Sequence, residues 1–213
     1  MNGPSGDVAG ARTITIVLLG FWFAAAAVAS FQGFPNESPF GLWSFVALPF
    51  FGFVFAYFMS RTFRRFANAI SLVLLVGAHV WRFVGIGFIY AWLTGRLAAG
   101  FAIPAGIGDI IVAAGSLALL PALRRGSASR RFLLLWNVIG LADLIAAIAL
   151  GALYSQSSSG PVQPGPNSTS LMTAFPISLI PTFFVPLFIL VHLLVFKRIV
   201  GRADLAEGQG KRA

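Results

Sequence analysis

Apolar residues occur in long continuous runs along this chain, and short polar connectors separate them. A helix needs about 20 mostly apolar residues to cross the roughly 30 Å hydrocarbon core of a bilayer. The pattern predicts an all-α, polytopic transmembrane bundle of six helices, at residues 13–31, 42–60, 67–94, 102–122, 132–154 and 176–196. The third run is longer than a straight crossing requires, so we expect it to tilt or to extend beyond the membrane.

Basic residues concentrate in alternate connectors. Arginines follow span two and lie between spans four and five, and lysines and arginines follow span six. The other connectors carry only Glu37, only Arg96, or, in 155–170, no charge. Cytoplasmic loops carry the excess of lysine and arginine, so both termini are predicted to be cytoplasmic. Residues 1–201 then form one six-span domain, and 202–213 form a polar cytoplasmic tail.

The first span has a second interpretation. Arg12, the apolar run and the small residues Ala27 and Ala29 resemble a signal peptide with a cleavage site. The run of about 17 apolar residues is long for a signal peptide, so we expect it to remain as a span. Cleavage would leave five spans with the same orientation.

Composition narrows the class of protein. The chain is 58% hydrophobic and 10% charged, whereas soluble domains have about 25% charged residues. The net charge of +9 comes from connectors that set topology and contact anionic headgroups on the cytoplasmic side. No basic patch is interleaved with exposed aromatic residues, so no nucleic-acid partner is expected.

Motifs for catalysis are lacking. The chain has no cysteine, no lysine inside a span, and neither an HExxH nor a GxSxG motif. These absences exclude thiolate metal sites, a retinal Schiff base and two common hydrolytic sites. We therefore predict no catalytic residue and no metal site, and favour a protein that is not an enzyme.

Four ionisable residues inside the apolar runs form a predicted polar cluster: His79, Arg82, Asp109 and Asp143. A charge at bilayer depth is costly, so such residues face the bundle interior or a wet cavity and pair with one another. At 1.5 Å per residue the four lie within one or two helical turns of the same depth. Arg82, Asp109 and Asp143 also lie on stripes of small residues, which is where membrane helices pack closely.

The charges of this predicted cluster do not balance. Two ionised aspartates, one arginine and a neutral histidine leave one excess negative charge. Because that is unfavourable at low dielectric, His79 or one aspartate should hold a proton. A cluster with this deficit suits a proton-coupled site, and it also suits a purely structural ion pair that keeps its proton permanently.

Asn137 and His192 form a second predicted polar pair, nearer the cytoplasm. Two histidines raise the alternative of a bis-imidazole haem. Counted along ideal helices, His79 lies roughly 9 Å nearer the outer face than His192. Ligands of one haem should be level, so we expect His192 to bond Asn137 or to be simply buried, and no cofactor to be bound.

Prolines and glycines predict breaks in two spans. Interior prolines remove a backbone hydrogen bond and kink a helix, and broken helices at membrane depth often line substrate paths. Kinks are also common in inert bundles. The predicted breaks lie in spans four and six, at Pro104, Gly106, Gly108, Pro181 and Pro186.

The segments HVWRFVGIGF, FAIPAGIGDI and FPISLIPTFFVPLF together resemble an uncharacterised family of small multi-pass bacterial membrane proteins. The resemblance covers most of residues 79–196, and where this chain has Ala98 many relatives have proline. It implies a bacterial inner-membrane location and no particular activity. The residues that the resemblance singles out are Arg82, Gly106, Gly108, Asp109, Asn137, Asp143, Pro181 and His192.

Three functions fit these patterns. The first is a small, proton-linked transporter or permeation protein that uses the cluster of His79, Arg82, Asp109 and Asp143. The second is a non-catalytic membrane subunit or assembly protein in which the cluster is structural, with a membrane protein or a second copy as partner. The third is a haem-binding membrane redox protein.

Overall fold

The computed structural model describes residues 4–33, 39–155 and 168–210, with side chains for 9–33, 44–155 and 168–201. Throughout these residues the chain is helical and has no strand. The α-helices are α1 (Pro4–Phe31), α2 (Pro39–Met59), α3 (Arg61–Ala69), α4 (Leu72–Ala78), α5 (Gly85–Leu93), α6 (Ala99–Arg124), α7 (Arg130–Leu153) and α8 (Val185–Gly210). Two 3-10 helices, His79–Val84 and Ser170–Thr173, and a π-helix, Ile180–Phe184, complete the list.

Five stretches are long and apolar enough to cross a membrane: Ala9–Phe31, Leu72–Leu93, Ala99–Arg124, Arg130–Leu153 and Ile180–Gly201. A sixth is added if the bent pair Ser44–Met59 and Arg61–Ala69 is counted as one span. The prediction of an all-α membrane protein is therefore confirmed. The predicted loop 155–170 lies largely outside the described residues.

The prediction that span three occupies 67–94 is wrong at its start. Residues 67–69 belong to α3, which turns away from α2 by 108°. Serine caps set both boundaries: Ser60 accepts a hydrogen bond from the Phe63 N–H, and Ser71 accepts one from the Leu74 N–H. The apparent surplus length of span three is thus a separate short helix, and the crossing begins at Leu72.

Helix α6 is at the centre of the fold. It packs against α4, α5 and the 3-10 helix between them on one side and against α7 on the other, and α7 packs against α8. One buried apolar cluster includes Leu75, Leu119 and Trp136, and another includes Phe88 and Phe101. In each of these spans the charged residue lies between the two clusters.

Helices α1 and α2 lie at the periphery. Helix α1 contacts α3 and the π-helix, where the rings of Trp22 and Phe23 lie 4.7 and 5.1 Å from the ring of Phe183. Helix α2 packs against α3, α8 and the π-helix. The polar cluster is therefore built by the remaining spans.

Candidate functional site: a buried arginine between two aspartates

Arg82 lies on the 3-10 helix that interrupts span three, and its side chain is 1% exposed. A mid-helix 3-10 segment is uncommon and often marks a functional or strained position. Here the tighter winding coincides with the point where the charged side chain enters the bundle. The sequence HVWRFV contains neither proline nor glycine, so nothing in it indicated this break.

The Arg82 guanidinium binds two carboxylates from two other spans. Its Nε donates to Asp109 Oδ1 on α6 at 2.6 Å, and its Nη2 donates to Asp143 Oδ2 on α7. Its Nη1 donates to the Gly140 carbonyl at 3.2 Å. One arginine thus joins spans three, four and five.

His192 extends this network from span six. Its Nδ1 lies 2.9 Å from Asn137 Oδ1, and its Nε2 lies 3.5 Å from Arg82 Nη1. Because arginine only donates, Nε2 must be the acceptor, so Nδ1 carries the proton and Asn137 Oδ1 accepts it. The predicted pairing of Asn137 with His192 is confirmed, and His192 is neutral in this arrangement.

His79 meets His192 directly. The two imidazole centroids are 4.1 Å apart and the ring planes differ by 37°. Trp136 and Phe188 enclose the His79 ring at centroid distances of 5.1 and 4.8 Å. Neither nitrogen of His79 has a hydrogen-bond partner among the described residues.

The prediction that the two histidines differ in depth is therefore wrong, and helix geometry explains the error. Span three begins at Leu72 rather than at 67, which moves His79 inward by about 7.5 Å. The last span begins at Ile180 rather than at 176, which moves His192 outward by about 6 Å. Because the two spans run in opposite directions, both shifts bring the histidines toward the same depth.

The haem alternative does not fit this contact. A haem bound by both histidines would have to lie between their rings, but the rings lie against each other. Within the described residues, no three histidine, aspartate or glutamate side chains form a group that could hold a metal ion. The cluster is an ion-pair and hydrogen-bond network.

Glycines allow the helices to approach closely enough for these contacts. A Cβ atom on Gly85 would lie 2.6 Å from the Gly106 carbonyl oxygen and 2.6 Å from Asp109 Cβ. A Cβ on Gly108 would overlap the Asp143 carboxylate, and one on Gly140 would overlap the His192 ring. The small-residue stripes are thus packing surfaces for the charged side chains.

The predicted helix breaks at Pro104, Gly106 and Gly108 are wrong, since α6 is continuous through all three. Pro104 lies in the second turn, where its missing N–H costs a single hydrogen bond. The glycines serve close packing instead. In span six, Pro181 lies within the π-helix and Pro186 lies at the start of α8.

The two irregular segments face each other. Trp81 of the 3-10 helix stacks on Phe184 of the π-helix, with ring centroids 4.0 Å apart and an interplanar angle of 14°.

The sequence analysis did not identify Trp136, whose Nε1 donates to the Val112 carbonyl at 2.9 Å. Its position next to the buried Asn137 could have indicated that Trp136 is buried too. A buried indole N–H needs an acceptor.

These features define an all-α membrane protein with an arginine cluster in its interior. The chain belongs to the family defined by a domain of unknown function (DUF8737), which matches residues 39–200. The match contains every residue of the cluster and leaves α1 outside. No curated protein and no solved structure matches the chain. The resemblance to an uncharacterised family thus agrees with the family found.

Proposed function

We propose that the protein is a small, proton-linked transporter or permeation protein. We place it in the inner membrane of a bacterium, with six spans and both termini cytoplasmic. The observation that carries the proposal is the arginine cluster: one guanidinium bound to two carboxylates. With both histidines neutral, the cluster holds one negative charge in excess, and a single proton neutralises it.

The carboxylates are the partly exposed members of the cluster. The side chains of Asp109 and Asp143 are 12% and 11% exposed, whereas Arg82 is 1% exposed and both histidines are fully buried. In this proposal Asp143 or Asp109 takes up the proton, and Arg82 is the fixed counter-ion. Protonation of one carboxylate weakens its hold on Arg82, which couples proton binding to the packing of three spans.

The irregular helices beside the cluster support the proposal. The 3-10 helix and the π-helix contact each other through Trp81 and Phe184, and such interruptions recur at functional sites. They give spans three and six backbone that can rewind locally. A transporter needs such a change when the charge of its site changes.

Proton uptake in proteoliposomes tests the proposal. We expect wild-type protein to take up protons under an applied membrane potential and Asp143→Asn to lose that uptake while remaining folded. Ser116→Ala is the matched control, because Ser116 is buried but bonds only the Val112 carbonyl of its own helix. Equal flux in wild type and Asp143→Asn, with equal or higher thermal stability in the variant, would refute the proposal.

Reporter fusions at residues 36, 127, 163 and 213 test the proposed topology. They should give outside, inside, outside and inside in that order. A cytoplasmic signal from position 163 would contradict the six-span arrangement. This experiment does not depend on the proton measurement.

The second candidate is a membrane subunit or assembly protein with a structural cluster. It is favoured by the completeness of the Arg82 bonding, since Nε, Nη1 and Nη2 all have acceptors. An arginine with an acceptor at every guanidinium nitrogen can hold three helices in register without any further role. In that case Asp143→Asn changes no flux, and a partner protein co-purifies with the wild type.

A further inference from the structure

An apolar groove lies between α2 and α8, away from the arginine cluster. Phe53, Val54 and Phe58 on α2 and Leu193 and Leu194 on α8 line it. All five are hydrophobic, so the groove suits a hydrocarbon chain lying along the helices. The groove stops near the end of α2, where α3 turns away by 108°.

A polar group closes that end of the groove. Lys197 Nζ lies 4.4 Å from the centre of the Tyr57 ring and 3.4 Å from Asn68 Oδ1. The Tyr57 hydroxyl donates to the same oxygen at 3.2 Å. Three helices, α2, α3 and α8, therefore each supply one polar side chain to the mouth of the groove.

These contacts fix the orientation of the Asn68 amide. Lysine only donates, so the amide atom that faces Lys197 must be the oxygen. The Asn68 NH₂ group then points away from Tyr57 and Lys197. The remaining N–H donors of Lys197 stay at the mouth, and they suit an anionic oxygen.

Helix α3 places further positive charge beside this mouth. Arg61, Arg64, Arg65 and Asn68 have the spacing of one helical face. Arg61 and Arg65 are exposed, whereas Ala67 on the opposite face is buried. A short helix with one basic and one apolar face is the kind that lies in the membrane interface and contacts anionic headgroups.

No carboxylate with a described side chain neutralises this charge. Among the residues with described side chains, the only carboxylates are Asp109 and Asp143, and both bind Arg82. The apolar groove therefore runs into a region of positive charge. A phospholipid with a negatively charged headgroup has the complementary arrangement.

We propose that the α2–α8 groove binds one anionic phospholipid. An acyl chain lies along Val54, Phe58 and Leu194, and the headgroup phosphate accepts hydrogen bonds from Lys197. The arginines of α3 add long-range attraction. This inference does not rest on proton transport, so either proposal can fail without the other.

Native mass spectrometry of the full chain in detergent tests the site. Phosphatidylglycerol is the probe, phosphatidylcholine is the zwitterionic comparison, and glycerol 3-phosphate is the headgroup without chains. Of the three probes, we expect only phosphatidylglycerol to bind tightly. Its affinity should fall about five-fold in Lys197→Gln. Arg131→Gln is the charge-matched control, since Arg131 is an exposed arginine on α7, which does not line the groove.

A second variant separates the groove from the charge. Val54→Trp fills the groove without altering any charge and should weaken phosphatidylglycerol binding as well. The proposal is overturned if Arg131→Gln loses as much affinity as Lys197→Gln, because the attraction would then be diffuse. Equal binding of phosphatidylcholine, equal binding of glycerol 3-phosphate, or full binding by Val54→Trp would overturn it too.

Discussion

Helix α1 and the interior spans are both apolar enough to cross a membrane, but they are held in very different ways. Of the most apolar stretch of α1, 11% is buried within the protein, compared with 39% for α6 and 50% for the last span. Between residues 13 and 31 α1 carries no charge. The interior spans carry His79, Arg82, Asp109, Asp143 and His192.

This difference shows what determines position inside a membrane. Apolar side chains gain little by exchanging lipid contacts for protein contacts, so hydrophobicity alone inserts α1 without fixing its partners. Polar side chains at the same depth are costly unless they pair. The ion pairs and the glycine contacts around them therefore specify the arrangement of α4 to α8.

The largest expected effect comes from removing the central charge. Arg82→Met leaves two carboxylates without a partner and should reduce the free energy of unfolding by about 3–5 kcal/mol, measured by denaturant unfolding in detergent. Adding Asp109→Asn and Asp143→Asn to that variant should restore much of the loss. If the triple variant is as unstable as Arg82→Met, the carboxylates do not depend on Arg82.

Close packing at Gly140 comes next. Gly140→Ala places a methyl group against the His192 ring and should cost about 1–3 kcal/mol, measured as a shift in unfolding midpoint. Gly87→Ala is the matched control, because no atom lies within 4 Å of a Cβ there. Equal stability of the two variants would mean that helix α7 can move away at little cost.

A smaller and opposite effect is expected at His79. Both ring nitrogens are buried without a partner, and aromatic rings surround the side chain. His79→Phe should therefore raise the free energy of unfolding by about 1 kcal/mol. Trp136→Phe, which removes a hydrogen bond, should lower it and serves as the comparison. A clear loss of stability in His79→Phe would show that His79 has a bonding partner.

The smallest effect is expected on α1. Phe21 is 72% exposed, so Phe21→Ala should change the free energy of unfolding by less than about 0.5 kcal/mol. Leu119→Ala in the interior, where Leu119 is 1% exposed, should cost about 2–5 kcal/mol. Comparable losses in the two variants would remove the distinction between the peripheral and interior spans.

Much of the interior could be predicted because charge, depth and small residues point the same way. The contact of Arg82 with Asp109 follows from their matched distance to the span ends. Local winding could not be predicted in this way. The 3-10 helix at His79–Val84 has no proline or glycine to indicate it. The spacing of Arg61, Arg64 and Arg65 on one helical face did indicate the separate helix α3. Counting apolar residues as one continuous run hides that helix.

The location of the ion pairs along the helices also has a mechanical consequence. Asp109 lies ten residues from the start of α6 and fifteen from its end, so α6 is tied to its neighbours near the middle of its length. A helix held near its middle pivots about that point, so its two ends move in opposite directions. In the transporter proposed above, a rotation of about 10° would displace the ends by about 3–4 Å and would open the bundle on one side of the membrane while closing it on the other.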